Sequence, residues 1–312
     1  LYILDWYDRY HCYQDANRDP GGIDRLKGRL YRLRYKDTSY ATPFDHASEN
    51  DTQLIALLAS KNGYQRDMAQ RLLSERLSFK ASETMELRRE LEALVVSSAP
   101  VEQKLSALGV LLISNELEEF FHRTILASDD VVLKSWAVRA AGEQSLISED
   151  VALLVQKLRD DPSPQVRLQV AIAATKQAAI PKIPTLVAVL AQAGKDPLVP
   201  RIVWQNLHPL LETQTAVFVA EVQKPGESQQ PGVYAQPVLD LLPRAADRIL
   251  STPKPDTSAV AQLVSVLLAT EATEESADRC LQLLTARIRS GEVAGESLRN
   301  IHEQLRSSLI AA

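Results

Sequence analysis

The sequence predicts a mainly α protein: an α-α superhelix of stacked helix pairs, preceded by a short N-terminal β-hairpin. Three observations predict it. From about residue 50 the apolar positions follow a helical period, as in Val151, Leu154, Val155 and Leu158, and again in Val166, Val170, Ala173 and Ala174. Breakers recur between such segments, at Asn62-Gly63, Ala99-Pro100, Asp129-Asp130, Asp161-Pro162-Ser163-Pro164, Asp196-Pro197 and Gln230-Pro231-Gly232. The first forty residues instead carry aromatic and alternating stretches that suit strands.

The N-terminal segment, 1–40, contains two candidate strands. Tyr2-Ile3-Leu4-Asp5-Trp6-Tyr7 is rich in aromatic and aliphatic residues. In Gly28-Arg29-Leu30-Tyr31-Arg32-Leu33-Arg34-Tyr35, Arg29, Tyr31 and Leu33 share one face, and Leu30, Arg32 and Arg34 the other. A polar loop ending in Asp19-Pro20-Gly21-Gly22 joins them. Two strands alone are marginal in water, so the hairpin is expected to complete a larger sheet.

Residues 50–312 read as the solenoid. Aligned on Val166, equivalent positions fall at Gln65, Val101, Val132, Val199 and Val233, spaced 31 to 36 residues apart. Four residues further on stand Ala69, Leu105, Trp136, Val170, Val203 and Pro237, an apolar or small column in which Pro237 implies a bent or shifted helix. Each helix pair has too much apolar surface to stand alone, and stacking buries it in a continuous core. Small residues such as Ala69, Ala140, Ala141, Ala173 and Ala174 permit close approach. The tail adds helices at roughly 259–270, 274–290 and 294–310, a continuation or cap.

Composition limits the function classes. The chain has 312 residues, 45% apolar, 24% charged and 5% aromatic, with 11 glycines, a mix that favours helices. A net charge of −5 weighs against nucleic acid as the main partner. Cys12 and Cys280 lie near opposite ends and give no disulfide framework. No apolar run approaches the ~20 residues of a membrane span. The chain begins Leu1-Tyr2-Ile3-Leu4, without Met or signal peptide, and reads as an internal fragment of a longer protein.

The chemistry-bearing residues fall short of a site at each place. Asp15, Asn17 and Asp19 resemble the start of a calcium loop, but Pro20 stands where Gly is needed and Leu26 where a bidentate Glu should be, so a polar hairpin turn fits better. His11-Cys12 with Asp5 and Asp8 lacks a CxxC or HxxxH partner, and an aromatic cluster with Trp6, Tyr7, Tyr10 and Tyr13 is the better reading. His46, His122, His208 and His302 are scattered one to an element. Glu116, Glu118 and Glu119 read as a solvated run on a helix beside Phe120-Phe121. Arg66, Arg71, Lys134, Arg139, Arg167 and Arg201 could line a basic face, against which stands the acidic excess of the whole chain. No catalytic, cofactor-binding or metal residue is therefore assigned.

Asp161, Pro162, Val166, Arg167 and Val170, followed by Ala174, resemble the second-helix pattern of HEAT repeats, related to armadillo repeats, over roughly residues 50–250. The resemblance implies a buried Asp/Arg ladder. Glu102, Leu133 and Pro200 stand where Arg167 sits, which predicts that the ladder is interrupted.

A second resemblance lies in the first ninety residues. Leu4-Asp5-Trp6-Tyr7-Asp8, Cys12-Tyr13-Gln14-Asp15-Ala16-Asn17, Asp24-Arg25 and Gly28-Arg29-Leu30-Tyr31-Arg32 are similar to the end of the β-propeller in large membrane-bound dehydrogenase-like proteins of planctomycetes and verrucomicrobia. The stretch from Asn62 to Arg76 is similar to that family's first HEAT repeat. The resemblance implies a scaffold in the periplasm or cell envelope, between an oxidoreductase-like propeller and a CxxCH haem domain. Its partners would be another protein or the neighbouring domains of the same chain. Haem c, and a quinone or calcium, would belong to the parent and not to this segment. The alternatives are part of an active sugar or alcohol dehydrogenase, with the loop 8–25 contributing to its site, and a nucleic-acid-binding solenoid.

Overall fold

A computed structural model describes residues 1–5, 17, 28–39, 42–78, 81–114, 117–224, 235–269 and 274–311. They form two compact units, Leu1–Glu49 and Asn50–Ala312.

In the first unit, strands β1 (Tyr2–Leu4) and β2 (Leu30–Arg32) pair antiparallel, with Ile3 opposite Tyr31. The Asp5 N–H extends the ladder to the Arg29 carbonyl at 2.7 Å. All six strand residues are exposed, so both faces of the ribbon are uncovered. The strands are shorter than the sequence implied, and Trp6 and Tyr7 lie outside the described residues. A 3-10 turn, His46–Ser48, lies near the end of this unit and is capped by Asp45.

The second unit is an α-solenoid. Its helices are α1 (Asp51–Leu57), α2 (Gly63–Leu77), α3 (Ala81–Val96), α4 (Val101–Ser114), α5 (Glu119–Leu126), α6 (Val131–Glu143), α7 (Glu149–Lys157), α8 (Pro164–Lys176), α9 (Lys182–Ala191), α10 (Val199–Leu207), α11 (Thr215–Gln223), α12 (Gln236–Leu250), α13 (Thr257–Leu268), α14 (Glu274–Arg289) and α15 (Gly295–Ala311). Local chemistry sets many of the starts. Asn50, Asn62, Glu118, Asp130, Ser148 and Asp256 each accept a backbone N–H from the first turn of the following helix. Pro164, Pro200 and Pro237 stand in first turns, where a missing N–H is harmless.

The helices pack in two rows. Even-numbered helices lie side by side, α2 on α4, α6 on α8, α8 on α10 and α12 on α14. Odd-numbered helices do likewise, α5 on α7, α9 on α11, α11 on α13 and α13 on α15. No helix among the described residues is long and apolar enough to cross a membrane.

Burial fixes the repeat register and corrects the column read from sequence. Ala69, Ala107, Ala137, Val170 and Val203 are fully buried and Val238 nearly so. They occur one per even-numbered helix from α2 to α12, spaced 30 to 38 residues apart. Four residues on, Leu73, Leu111, Ala141, Ala174, Leu207 and Leu242 form a second fully buried column. Ala69, Val170 and Val203 thus stand as expected. Leu105, Trp136 and Pro237 do not: Trp136 is 38% exposed, Leu105 is half-buried and Pro237 sits in the first turn of α12. Where two adjacent residues are both apolar, periodicity alone cannot say which one faces inward.

Small side chains allow the closest contact where α6 meets α8. A Cβ placed on Gly142 would lie 3.1 Å from the Ala173 Cα. The two columns yield a test. Leu207→Ala should destabilise the chain by about 2–5 kcal/mol through the cavity it leaves, whereas Trp136→Ala should change stability by under ~1 kcal/mol. Urea unfolding followed by circular dichroism checks both. Equal losses would mean that the register is wrong.

Candidate functional site

A buried polar cluster lies at the turn between α7 and α8. Asp161 and Arg167 are both buried. The Asp161 carboxylate accepts the Ser163 N–H at 2.9 Å and the Lys134 Nζ at 2.8 Å, so it ties α6 to the next helix pair. The Arg167 guanidinium donates to the carbonyls of Asp161 (2.7 Å), Pro162 (3.0 Å) and Gln192 (2.9 Å), the last at the end of α9. Gln192 in turn donates to Asp160. Arg167 and Asp161 therefore do not pair as charges. The carboxylate reaches back one unit, and the guanidinium satisfies carbonyls left open at two turns.

The corrected register changes the expected ladder. The residue three before the first buried column is Arg66, Lys104, Lys134 and Arg167 in α2, α4, α6 and α8. The position is basic in four successive units, where the sequence reading had placed Glu102 and Leu133. Arg66 donates to the Ser60 carbonyl at 2.6 Å, six residues back, as Arg167 does to Asp161. Pro200 ends the series in α10.

A second repeated device is a turn closed by a side chain. Ser60, Ser97, Ser128, Asp161 and Asp196 each accept the backbone N–H two residues ahead, at 2.7 to 3.2 Å, just before α2, α4, α6, α8 and α10. Asp161 and Asp196 belong to the breakers named from sequence, whereas Ser60, Ser97 and Ser128 stand just before theirs. A Ser or Asp at that offset, recurring every 31 to 37 residues, was the available signal.

The residues singled out from sequence are dispersed. Arg66, Lys134 and Arg167 face inward and are engaged, and Arg71 is paired with Glu75 at 2.7 Å. Of the six basic residues expected on one face, Arg139 and Arg201 are exposed. Glu118 caps α5 through the Phe121 N–H, and Glu119 lies 3.9 Å from Arg123. Asp5 accepts from Arg29 across the hairpin. Asp8, His11, Cys12, Asp15, Asp19, Pro20, Leu26 and Glu116 lie outside the described residues, as does most of the loop 8–25.

Among the described residues of the second unit, His122, His208 and His302 lie on different helix pairs. His46 is buried, with Nδ1 2.9 Å from Glu49 and its ring 4.5 Å from that of Phe44. His208 stacks on Trp204, and His302 is exposed. His122 is buried, with Nε2 2.9 Å from the Ala137 carbonyl of the adjoining α6. No group of three or more His, Cys, Asp or Glu residues that could hold a metal ion occurs among the described residues.

Burial shifts two other groups, Cys280 and Glu92. Burial pushes the Cys280 thiol up to about 12, which keeps it unreactive. Burial also raises the Glu92 carboxyl above the usual range, partly offset by Arg88.

No protein-family model matches the chain, and no curated protein matches it significantly. Among solved structures the chain is similar to two engineered proteins from the Northeast Structural Genomics Consortium. One is 16% identical with a TM-score of 0.37, over 82% of this chain and 77% of that one. The other is 18% identical with a TM-score of 0.27, over 76% of this chain and 96% of that one.

The polar cluster predicts a mutational pattern. Asp161→Ala leaves Lys134 facing a buried gap and opens the turn, and should cost about 3–5 kcal/mol. The loss should persist at high salt, because the pair is shielded from solvent. Denaturant unfolding at low and high salt measures both. A loss that salt erases would show a surface pair instead.

His122 sets a pH dependence. Burial lowers its pKa below the ordinary histidine value, outweighing its bond to Ala137. The unfolded state thus takes up a proton first as pH falls. This contribution is fully present above ~6.5 and is lost as pH drops from there toward the folded-state pKa. Unfolding curves between pH 7.5 and 5 should weaken toward acid, and His122→Gln should flatten that slope. An unchanged slope in the variant would assign it to other groups.

Proposed function

We propose that this chain is a non-catalytic scaffold, a protein-interaction region within a larger, exported, dehydrogenase-like and haem-linked protein. The observation that carries the reading is where its buried chemistry goes. Arg66, Lys134, Asp161 and Arg167 bind turns and neighbouring helices. Links between even-numbered helices continue along the array. Gln70 donates to the Ser106 carbonyl, Gln177 to that of Gln144 and Arg248 to that of His208, while Arg287 pairs with Asp247. Such lateral ties fix successive helix pairs in register, which is what a spacer needs.

The resemblance of residues 1–90 to the propeller end and first repeat of the dehydrogenase-like family supplies the wider setting. The exposed apolar hairpin fits it, since Tyr2, Ile3, Leu4, Leu30 and Tyr31 are all uncovered. In this reading the propeller and haem domain flank the chain, its partners are those domains or a further protein, and the location is the periplasm or cell envelope.

Two measurements test the proposal. Sequence flanking the 312 residues should encode a propeller before Leu1 and a CxxCH motif after Ala312; the absence of both would remove the dehydrogenase setting. The purified chain mixed with sugars or alcohols should not reduce dichlorophenolindophenol above blank. Turnover by this segment would overturn the scaffold reading.

A further inference from the structure

The outward face of α6, α8, α10 and α12 carries exposed arginines. Arg139 on α6, Arg201 on α10 and Arg244 on α12 are exposed; Arg139 feels the Glu143 carboxylate one turn on, which Lys176 binds directly. Two of them lie over indoles: Arg139 sits 4.9 Å from the Trp136 ring centroid, and Arg244 of α12 sits 4.3 Å from that of Trp204 on α10. Stacking holds a guanidinium flat and leaves its N–H edge available for a planar anion.

The register shows that these residues share a face. Relative to the buried column, Arg139 is two residues after Ala137, Arg201 two before Val203 and Arg244 six after Val238. At 100° per residue, all three lie within about 40° of the direction opposite the core. The carboxylates bordering this face are engaged. Glu143 is bound by Lys176, Asp240 by Gln236 and Asp247 by Arg287. Lys176 and Arg287 neutralise Glu143 and Asp247, while Gln236 leaves the Asp240 charge in place; the three arginines outnumber it, so a chain of net charge −5 keeps a local cationic strip.

The geometry points to this strip as the docking surface for an extended, acidic polypeptide segment. The inference rests on the scaffold reading and names its partner's chemistry. Adjacent helices lie roughly 8–10 Å apart, and an extended chain advances about 3.3 Å per residue. Arg139 and Arg201 lie two helices and four residues of rise apart, roughly 20 Å, so carboxylates six residues apart would bridge α6 to α10. Three cations interrupted by Gln169, Ile172 and Gln205 suit spaced carboxylates better than a continuous phosphate backbone.

The test uses the full 312-residue chain and fluorescein-labelled (Glu-Gly-Gly)4, read by fluorescence anisotropy at low ionic strength. Saturable binding is expected. It should weaken at least tenfold in the triple variant Arg139→Glu, Arg201→Glu, Arg244→Glu, measurably in Trp136→Ala, and little in the control Arg299→Glu on α15. Circular dichroism confirms that each variant is folded. (Gln-Gly-Gly)4 should not bind. No saturation with the acidic peptide, or binding indifferent to the triple variant, overturns the inference. So does a single-stranded oligonucleotide that binds more tightly and is lost in the same variant, or self-association of the chain lost in that variant. None of these results bears on dye reduction or on the flanking sequence, so the scaffold reading stands or falls separately.

Discussion

A helix of seven to seventeen residues with one apolar stripe is barely stable by itself in water, and every helix of the second unit faces that constraint. The stripe must meet another. In the even-numbered helices it is two residues wide, from Ala69 with Leu73 in α2 to Val238 with Leu242 in α12. Each pair of columns is closed partly by its own odd-numbered helix and partly by the next unit. Burial of a Leu or Val contributes roughly 1.5–3 kcal/mol, so a unit deprived of a neighbour loses several such terms at once. Stability is thus shared between units rather than owned by any one of them.

Apolar columns alone would let neighbouring pairs slide, because aliphatic contacts are non-directional. The polar groups remove that freedom. The turn acceptors Ser60, Ser97, Ser128, Asp161 and Asp196 set where each even-numbered helix begins. Lys134 then fixes α6 to the turn before α8, and Arg167 fixes α8 to the end of α9. A buried ion pair such as Lys134 with Asp161 adds little net stability, because desolvation offsets its attraction. Its contribution is directional: a shift of one helix by a residue would leave the carboxylate buried without its cation.

Much of this fold was legible in the sequence, and the reasons differ by element. The tail helices were placed nearly to their ends, because Pro, Gly and Asp mark their limits and apolar spacing fills them. The strands at Tyr2–Leu4 and Leu30–Arg32 followed from aromatic content and alternation. The register of α6 was misread by one residue because Val132-Leu133 offers two apolar choices, and a large indole at 136 outweighs an alanine at 137 on any hydrophobicity count. Volume decides the other way: the space between α6 and α8 admits Ala137 and not Trp136. That single slip hid Lys134 from the basic column. The turn acceptors Ser60, Ser97 and Ser128 are less legible than Asp161 and Asp196 for a related reason, since serine is common and only its recurrence is informative.

The dispersal of titrating groups among the described residues of the second unit follows from the same architecture. A solenoid brings together residues one unit apart, about thirty positions in sequence, and little else. Lys134 meets Asp161, Gln70 meets Ser106 and Arg287 meets Asp247 for this reason. Catalytic constellations usually draw on several elements converging at one cleft. Here His122, His208, Glu92 and Cys280 belong to different units and have no path to one another. What repetition does produce is a surface on which one kind of contact recurs at a fixed step. Whether the recurring side chain is inward, as at Arg167, or outward, as at Arg139, decides whether it stabilises the array or serves a partner.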